Sequence, residues 1–297
     1  MKINDAIIIG AGPAGIAAGI QLKRYGLEPI LLERGEIGGL LVNANLVENY
    51  PGFPGGIPGP ALVQRIKQQT KDTGLAIKHE EVTKLDVKEG NLFLVETTKN
   101  VYYSRIAVVA TGTVPRRFKD FVIPPGLEAY VFYEVYPLLG ISGKTITIVG
   151  AGDAAFDYAL NLARNNQVTI LNRGRDLKCI PLLWERTKAE PKIEYRENTA
   201  ISSLKPHPTS GLQVECSTLD GIVTLTTDYL IGAIGRDPAL EFLSSDVVAL
   251  APDLEAVGLL YFIGDVKNGL YRQTSISVGD GVRAAMQIYR KLKEIHQ

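Results

Sequence analysis

Two short glycine turns limit what this chain can fold into. Residues 10–15 read GAGPAG and residues 150–155 read GAGDAA. The first follows a short apolar run, DAIII at 5–9, as expected of a parallel strand covered on both faces. After it comes a helical stretch ending at Gly26, and then a second apolar strand, PILLER, that finishes in Glu33-Arg34. Strand, glycine turn, helix and strand with a terminal acid make up a dinucleotide-binding βαβ unit. Gly10 permits the tight turn, Gly12 lets the backbone approach a pyrophosphate, and Gly15 lets helix and strand pack closely. The helix N-terminus offers unpaired N–H groups to phosphates, and Glu33 can accept hydrogen bonds from ribose hydroxyls.

The unit recurs at TITIV (145–149), Gly150, Gly152 and Ala155, a helix, and the strand VTILNR. Alanine in the last place still allows close packing. This strand ends in Asn172-Arg173, so no carboxylate repels a 2′-phosphate and an arginine can attract one. NADPH is therefore favoured over NADH.

Composition excludes several classes. Lysine plus arginine and aspartate plus glutamate each number 32, which gives no reason to expect nucleic acid or an anionic membrane as partner. No apolar run approaches the ~20 residues that span a bilayer, and the N-terminus lacks a signal-peptide pattern. The two cysteines, Cys179 and Cys216, form no CxxC and fit a reducing cytoplasm. No metal site is assigned.

Further segments carry a resemblance: GG at 38–39, ENYPGFPGGIPGPAL at 48–62, ATG at 110–112, IGRDP at 234–238 and FIGDVKNGLYRQTSISVGDGVRAA at 262–285. With the two glycine turns, they resemble the low-molecular-weight thioredoxin reductases, within the two-dinucleotide-binding-domain flavoproteins, over nearly the whole chain. The resemblance implies an α/β fold of two Rossmann-like, three-layer domains, the second inserted in the first. An FAD domain would comprise 1–112 plus 242–297, and an NAD(P) domain 113–241.

The same resemblance implies the sites. FAD would contact Gly10, Gly12, Pro13, Ala14, Gly15, Glu33, Arg34, Gly38, Gly39, Leu40, Asn49, Tyr50 and Val82. It would also contact Ala110, Thr111, Gly112, Gly264, Asp265, Arg272, Gln273 and Thr274, the last of these opening a helix beneath the flavin ring. NADPH or NADH would contact Gly150, Gly152, Asp153, Ala154, Ala155, Asn172, Arg173, Lys178, Ile234, Gly235 and Arg236. The family's NADPH-dependent members carry a His-Arg-Arg run where this chain has Asn172-Arg173-Gly174, with Arg175 and Lys178 as possible compensation.

In the family, hydride passes from NADPH to flavin and electrons then pass to a CxxC disulfide that thioredoxin accepts. Alignment on Gly126 and Gly150 puts Tyr130 and Tyr133 at the two cysteine positions and Glu134 at the following acid. Tyrosine cannot exchange with a disulfide. Segment 129–136, AYVFYEVY, either lays aromatic surface over the flavin or fills the volume left by the lost dithiol; Glu134 is either a proton donor or a solvated charge. Three functions follow: an FAD oxidoreductase passing electrons from NAD(P)H to a non-disulfide acceptor (ferredoxin, a small molecule or oxygen), a ferredoxin-linked flavoprotein without pyridine nucleotide, and a non-catalytic FAD-binding sensor. A cytoplasmic homodimer is expected from the family.

Overall fold

The computed structural model describes residues 2–209 and 211–296, so Met1, Ser210 and Gln297 lie outside the described residues. Six α-helices are present among the described residues: α1 (Pro13–Arg24), α2 (Gly59–Asp72), α3 (Asp153–Leu162), α4 (Pro181–Ala189), α5 (Ser245–Ala256) and α6 (Thr274–Ile295). The chain divides into two compact units, one of residues 1–42, 47–114 and 237–297, the other of 43–46 and 115–236. The fold is the expected α/β class with two Rossmann-like sheets.

In the first unit the strand Ile3–Ile9 lies between Ile30–Glu33 and Val101–Val109, parallel to both. Ile77–His79 extends the sheet beyond Ile30–Glu33, and Leu260–Phe262 pairs with the C-terminal half of Val101–Val109. Val82–Lys88, Leu92–Thr97 and Val101–Val109 form an antiparallel meander on the other side. Ile7 and Ile8 point to opposite faces and both are fully buried, because helices cover one face and the meander with α5 the other. α1 and α6 lie together, and Tyr25 stacks on Tyr289 with ring centroids 4.2 Å apart.

A buried carboxylate ties α5 to the meander. Asp86 accepts from Lys84 and Lys88 at 3.0 and 2.8 Å and from the Ser244 hydroxyl at 2.9 Å. Ser244 in turn caps α5 by accepting from the Val247 N–H. The two ammonium groups and the serine hold the Asp86 carboxyl well below the usual carboxylate range.

The second unit has a parallel sheet in the order Ile193–Arg196, Gln167–Leu171, Thr145–Val149, Tyr229–Gly232, Val131–Phe132. A separate antiparallel sheet comprises Ala200–Pro206, Leu212–Thr218 and Gly221–Thr227. The chain passes between units at 114–115 and 236–237, whereas the sequence puts the joints at 112–113 and 241–242. Hydrogen bonds distant in sequence account for the difference. The Thr111 hydroxyl donates to the Ala239 carbonyl at 2.7 Å and the Ala239 N–H to the Gly112 carbonyl at 3.1 Å, which keeps 239 with the first unit. Residues 43–46, which the sequence assigns to the first domain, belong to the second unit.

Candidate functional site

The first glycine turn shows which of its glycines the protein itself requires. Gly10 has φ +107°, and a Cβ there would lie 2.4 Å from the Ala110 carbonyl oxygen. A Cβ on Gly15 would lie 1.9 Å from the Gly10 carbonyl oxygen. Gly12 differs: its φ is −74°, ordinary for any residue, and no protein atom lies within 4 Å of its would-be Cβ. Folding alone does not require glycine at position 12. Pro13 then sets the first turn of α1, whose N-terminal N–H groups have no side-chain cap.

The other expected first-unit residues collect around this turn. The Gly38 N–H donates to the Ala11 carbonyl, which seats Gly38 and Gly39 against Gly12, with Leu40 next in the same 3₁₀ turn. Glu33 accepts from the N–H of Ala11 at 2.6 Å and of Gly35 at 2.8 Å, so its carboxylate sits at the mouth of the turn. A cleft of about 410 Å³ opens there, lined by Gly10, Glu33, Arg34, Glu80, Val82 and Thr111 among others. Its volume falls in the range of small-ligand sites. Asn49 donates to Gln273 at 2.9 Å although 224 residues separate them, and Tyr50 packs against Phe53. Gln273 is the residue before α6, so Arg272, Gln273 and Thr274 stand at a helix N-terminus whose first turn holds no acid. Gly264 has φ +73° and its would-be Cβ meets Ala14, while Asp265 accepts from Ser277.

The second unit repeats the pattern. Gly150 has φ +142° and its Cβ would lie 2.3 Å from the Ala233 carbonyl oxygen, and Ala155 is fully buried. Gly152 again has an ordinary φ of −97° and nothing within 4 Å. Asp153 accepts the Ile180 N–H at 2.8 Å and the Lys178 N–H donates to Ala151, so the 178–180 loop is fastened beside the turn; Ala154 is exposed.

Two expected contacts, Asn172 and Arg236, are engaged within the protein. Asn172 is buried, donating to the Asp176 carbonyl and the Tyr195 hydroxyl and accepting from Gly174. That leaves its amide shaping the loop after the strand and not facing outward. Arg236 pairs with Glu134 at 2.5 Å, and Gly235, with Ile234 before it, adjoins the Arg116 side chain. Arg173, by contrast, is 84% exposed and meets only the equally exposed Asp120, at 3.9 Å, among the pairings resolved for it.

The aromatic segment alternates: Val131, Tyr133 and Val135 are buried, whereas Ala129 and Tyr136 are exposed. Tyr133 is only 8% exposed, sits 5.3 Å from Phe118, accepts the Phe118 N–H on its hydroxyl and lies beneath the Arg117 guanidinium. Tyr130 packs against Tyr229 in the same core. The Tyr133 ring fills the second unit's interior and Tyr130 is half-buried at its edge, so volume-filling describes Tyr133. Glu134 is no solvated charge: besides Arg236 it accepts from Asn43 at 2.9 Å and Tyr158 at 3.3 Å. Burial pushes the Tyr158 hydroxyl upward, so it stays a proton donor to that carboxylate.

Sequence reasoning missed the acid beside it. Asp157 accepts the Asn45 N–H at 2.8 Å, and burial pushes its carboxyl up to about 6 from an ordinary 3.8. Between those values the folded protein holds a proton that the unfolded chain releases, so this group lowers stability as pH rises from about 4 to 6. Asp157→Asn removes that dependence. Its melting temperature relative to wild type should therefore be more favourable at pH 7.5 than at pH 4, as thermal melts across that range would show.

Two dinucleotide-type folds in one chain, each with a middle glycine clear of protein atoms, define a protein of the two-dinucleotide-binding class. The family described as pyridine nucleotide-disulphide oxidoreductase matches residues 4–281, and the chain belongs to it. It is similar to the thioredoxin reductase of Pneumocystis jirovecii, 32% identical over 98% of this chain and 96% of that protein. It is likewise similar to that of Mycolicibacterium smegmatis, 29% identical over 98% and 97%. The crystal structure of Lactococcus lactis thioredoxin reductase superposes with a TM-score of 0.85 at 28% identity, covering 98% of this chain and 99% of that one. The chain is thus thioredoxin reductase-like along almost its whole length. No helix among the described residues is long and apolar enough to cross a membrane.

Proposed function

We propose that the first unit holds FAD, that the second receives NAD(P)H, and that electrons leave for an acceptor other than a disulfide on this chain. The observation carrying this reading is the pair of middle glycines. Gly12 and Gly152 have ordinary dihedrals and no protein neighbour at Cβ, while Gly10, Gly15 and Gly150 are glycine for internal reasons. Close approach of a phosphate explains both.

In the first unit Gly12 and the start of α1 receive the pyrophosphate, and Gly38, Gly39 and Leu40 border it. Glu33 turns from its backbone donors to ribose hydroxyls, and Arg34, Val82 and Thr111 line the adenosine cleft. Asp265, Arg272, Asn49, Tyr50 and the α6 N-terminus at Thr274 attend the flavin end. FAD bound there would supply a two-electron acceptor able to pass electrons on singly or in pairs. The α6 dipole favours negative charge at its N-terminus.

In the second unit Gly152 takes the pyrophosphate and Arg173, which is exposed, reads a 2′-phosphate, with Arg175 and Lys178 near it in sequence. NADPH is therefore preferred to NADH. Tyr130 and Tyr133 serve as packing, and Glu134 with Arg236 as a fixed polar pair. The acceptor is a small redox protein such as ferredoxin or a small molecule. A cytoplasmic homodimer is the arrangement that the family resemblance implies, and the balance of 32 acids and 32 bases gives no reason to add a nucleic-acid or membrane partner.

Anaerobic mixing with NADPH tests the donor. The visible flavin band should bleach within seconds, and more slowly with NADH at equal concentration. A flavin that neither nucleotide bleaches, but reduced ferredoxin does, would replace this donor with the iron–sulfur protein.

A further inference from the structure

One stripe of α6 links the two turns of the first unit. Asp280 is 7% exposed, and its Oδ2 accepts both the Gly264 N–H at 3.2 Å and the Asn268 side-chain amide at 2.6 Å. Its Oδ1 accepts from Arg283 at 2.5 Å. Three residues earlier on the same helix face, Ser277 is 5% exposed and donates its hydroxyl to Asp265 Oδ1 at 3.1 Å. The residue after Asp280, Gly281, meets α1 so closely that a Cβ would lie 2.2 Å from the Ala14 carbonyl oxygen. Gly264 presses on the same Ala14 from the other side, its would-be Cβ 2.8 Å from the alanine methyl.

The packing explains why these polar groups stand here. The strand Leu260–Phe262 ends with the Ile263 N–H bonded to the Val109 carbonyl, after which the chain must turn sharply through Gly264 in a left-handed conformation. A turn of that kind has backbone N–H groups pointing inward and needs an acceptor beneath it. A carboxylate can accept from all three donors while presenting no donor of its own. Asp280 fills that place, and Ser277 donates to the carboxylate of Asp265 in the same turn.

We infer that Asp280 and Ser277 are positioning residues for the cofactor turn, acting through Gly264, Asp265 and Asn268 and not by contact with the ligand. The inference rests on the reading that the first unit holds FAD. Asp280 keeps the turn in its left-handed conformation, and Ser277 holds the Asp265 carboxylate in one rotamer. Both residues lie in the 262–285 segment, but neither is among the residues that the resemblance implies as FAD contacts.

FAD release from the holoenzyme, followed by the rise of free flavin fluorescence on dilution, tests this. Asp280→Ala should weaken FAD retention about 10- to 100-fold, the loss of buried hydrogen bonds to a charged acceptor. Asp280→Asn should recover most of it, because the amide oxygen still accepts from Gly264 and Asn268 while Arg283, whose side chain is 66% exposed, swings away. Asp86→Asn, altering another buried carboxylate of the same unit, should lower the melting temperature and leave FAD release unchanged. Should Asp280→Ala fail to fold, Ser277→Ala removes one hydroxyl only and should still speed release about 5-fold.

Unchanged release in Asp280→Ala, or in Ser277→Ala if that variant carries the test, overturns the assignment. So does an equal acceleration by Asp86→Asn, since the effect would then be general destabilisation. A wild-type protein that binds no flavin overturns the functional reading and this assignment together. One that holds flavin while Asp280→Ala holds it equally well overturns this assignment alone.

Discussion

Gly12→Ala should fold normally and lose its flavin. The added methyl meets no protein atom within 4 Å, and alanine readily adopts φ −74°. The melting temperature of the flavin-free protein should therefore match wild type. FAD, however, would have to sit a methyl's thickness further from the α1 N-terminus, and affinity should fall about 10- to 100-fold, the scale of overpacking a tight contact. Gly15→Ala should behave in the opposite way. Its methyl would lie 1.9 Å from the Gly10 carbonyl oxygen, and backbone cannot step aside as a side chain can. That variant should lose several degrees of melting temperature even without flavin, or fail to accumulate. The ratio of flavin to protein absorbance, with melts taken before and after adding FAD, separates the two. A Gly12→Ala protein that retains flavin like wild type would mean that nothing approaches that glycine.

Coupled reduction of thioredoxin disulfide should run at background. The dithiol relay requires two neighbouring, ionisable thiols, and this chain has only Cys179 and Cys216, with no CxxC. Burial pushes the Cys216 thiol up to about 11, so it stays protonated at neutral pH. Cys216 is also fully buried, packed in the core that contains Tyr133. Burial, and then the nearby Asp153 carboxylate, also raise Cys179. The double variant Cys179→Ala with Cys216→Ala should therefore bleach with NADPH as fast as wild type, by anaerobic stopped flow. A slower flavin reduction in the double variant, or vigorous thioredoxin turnover by the native protein, would restore a thiol to the mechanism.

The tyrosine segment shows where sequence alignment stops being informative about role. Alignment on Gly126 and Gly150 sets Tyr130 and Tyr133 against the family's relay positions as an expectation, which makes them candidates for chemistry. Burial depends on which sheet the segment joins, and Val131–Phe132 pairs with Leu230 and Ile231, a hundred residues on. That pairing turns Tyr133 into the core against Phe118. Asn172 is a similar case. Its position at the strand end marks a nucleotide contact, but its amide is engaged by Tyr195 and Gly174.

The sequence by itself determined the two βαβ units, because glycine spacing, apolar runs and a terminal Glu33 are local constraints on the backbone. It likewise determined that no CxxC relay exists. What only the tertiary structure decided is how polar groups far apart in sequence come together: Asn49 with Gln273, Asp86 with Ser244, Asn43 with Glu134 and Tyr158. It also separated glycines needed for folding from those left open, since φ and Cβ clearance depend on neighbours such as Ala110 and Ala233. Local motifs are written in short stretches of chain and survive reading alone. Burial and hydrogen-bond partnership are pairwise properties of distant residues, and they exist only once the sheets have closed around them.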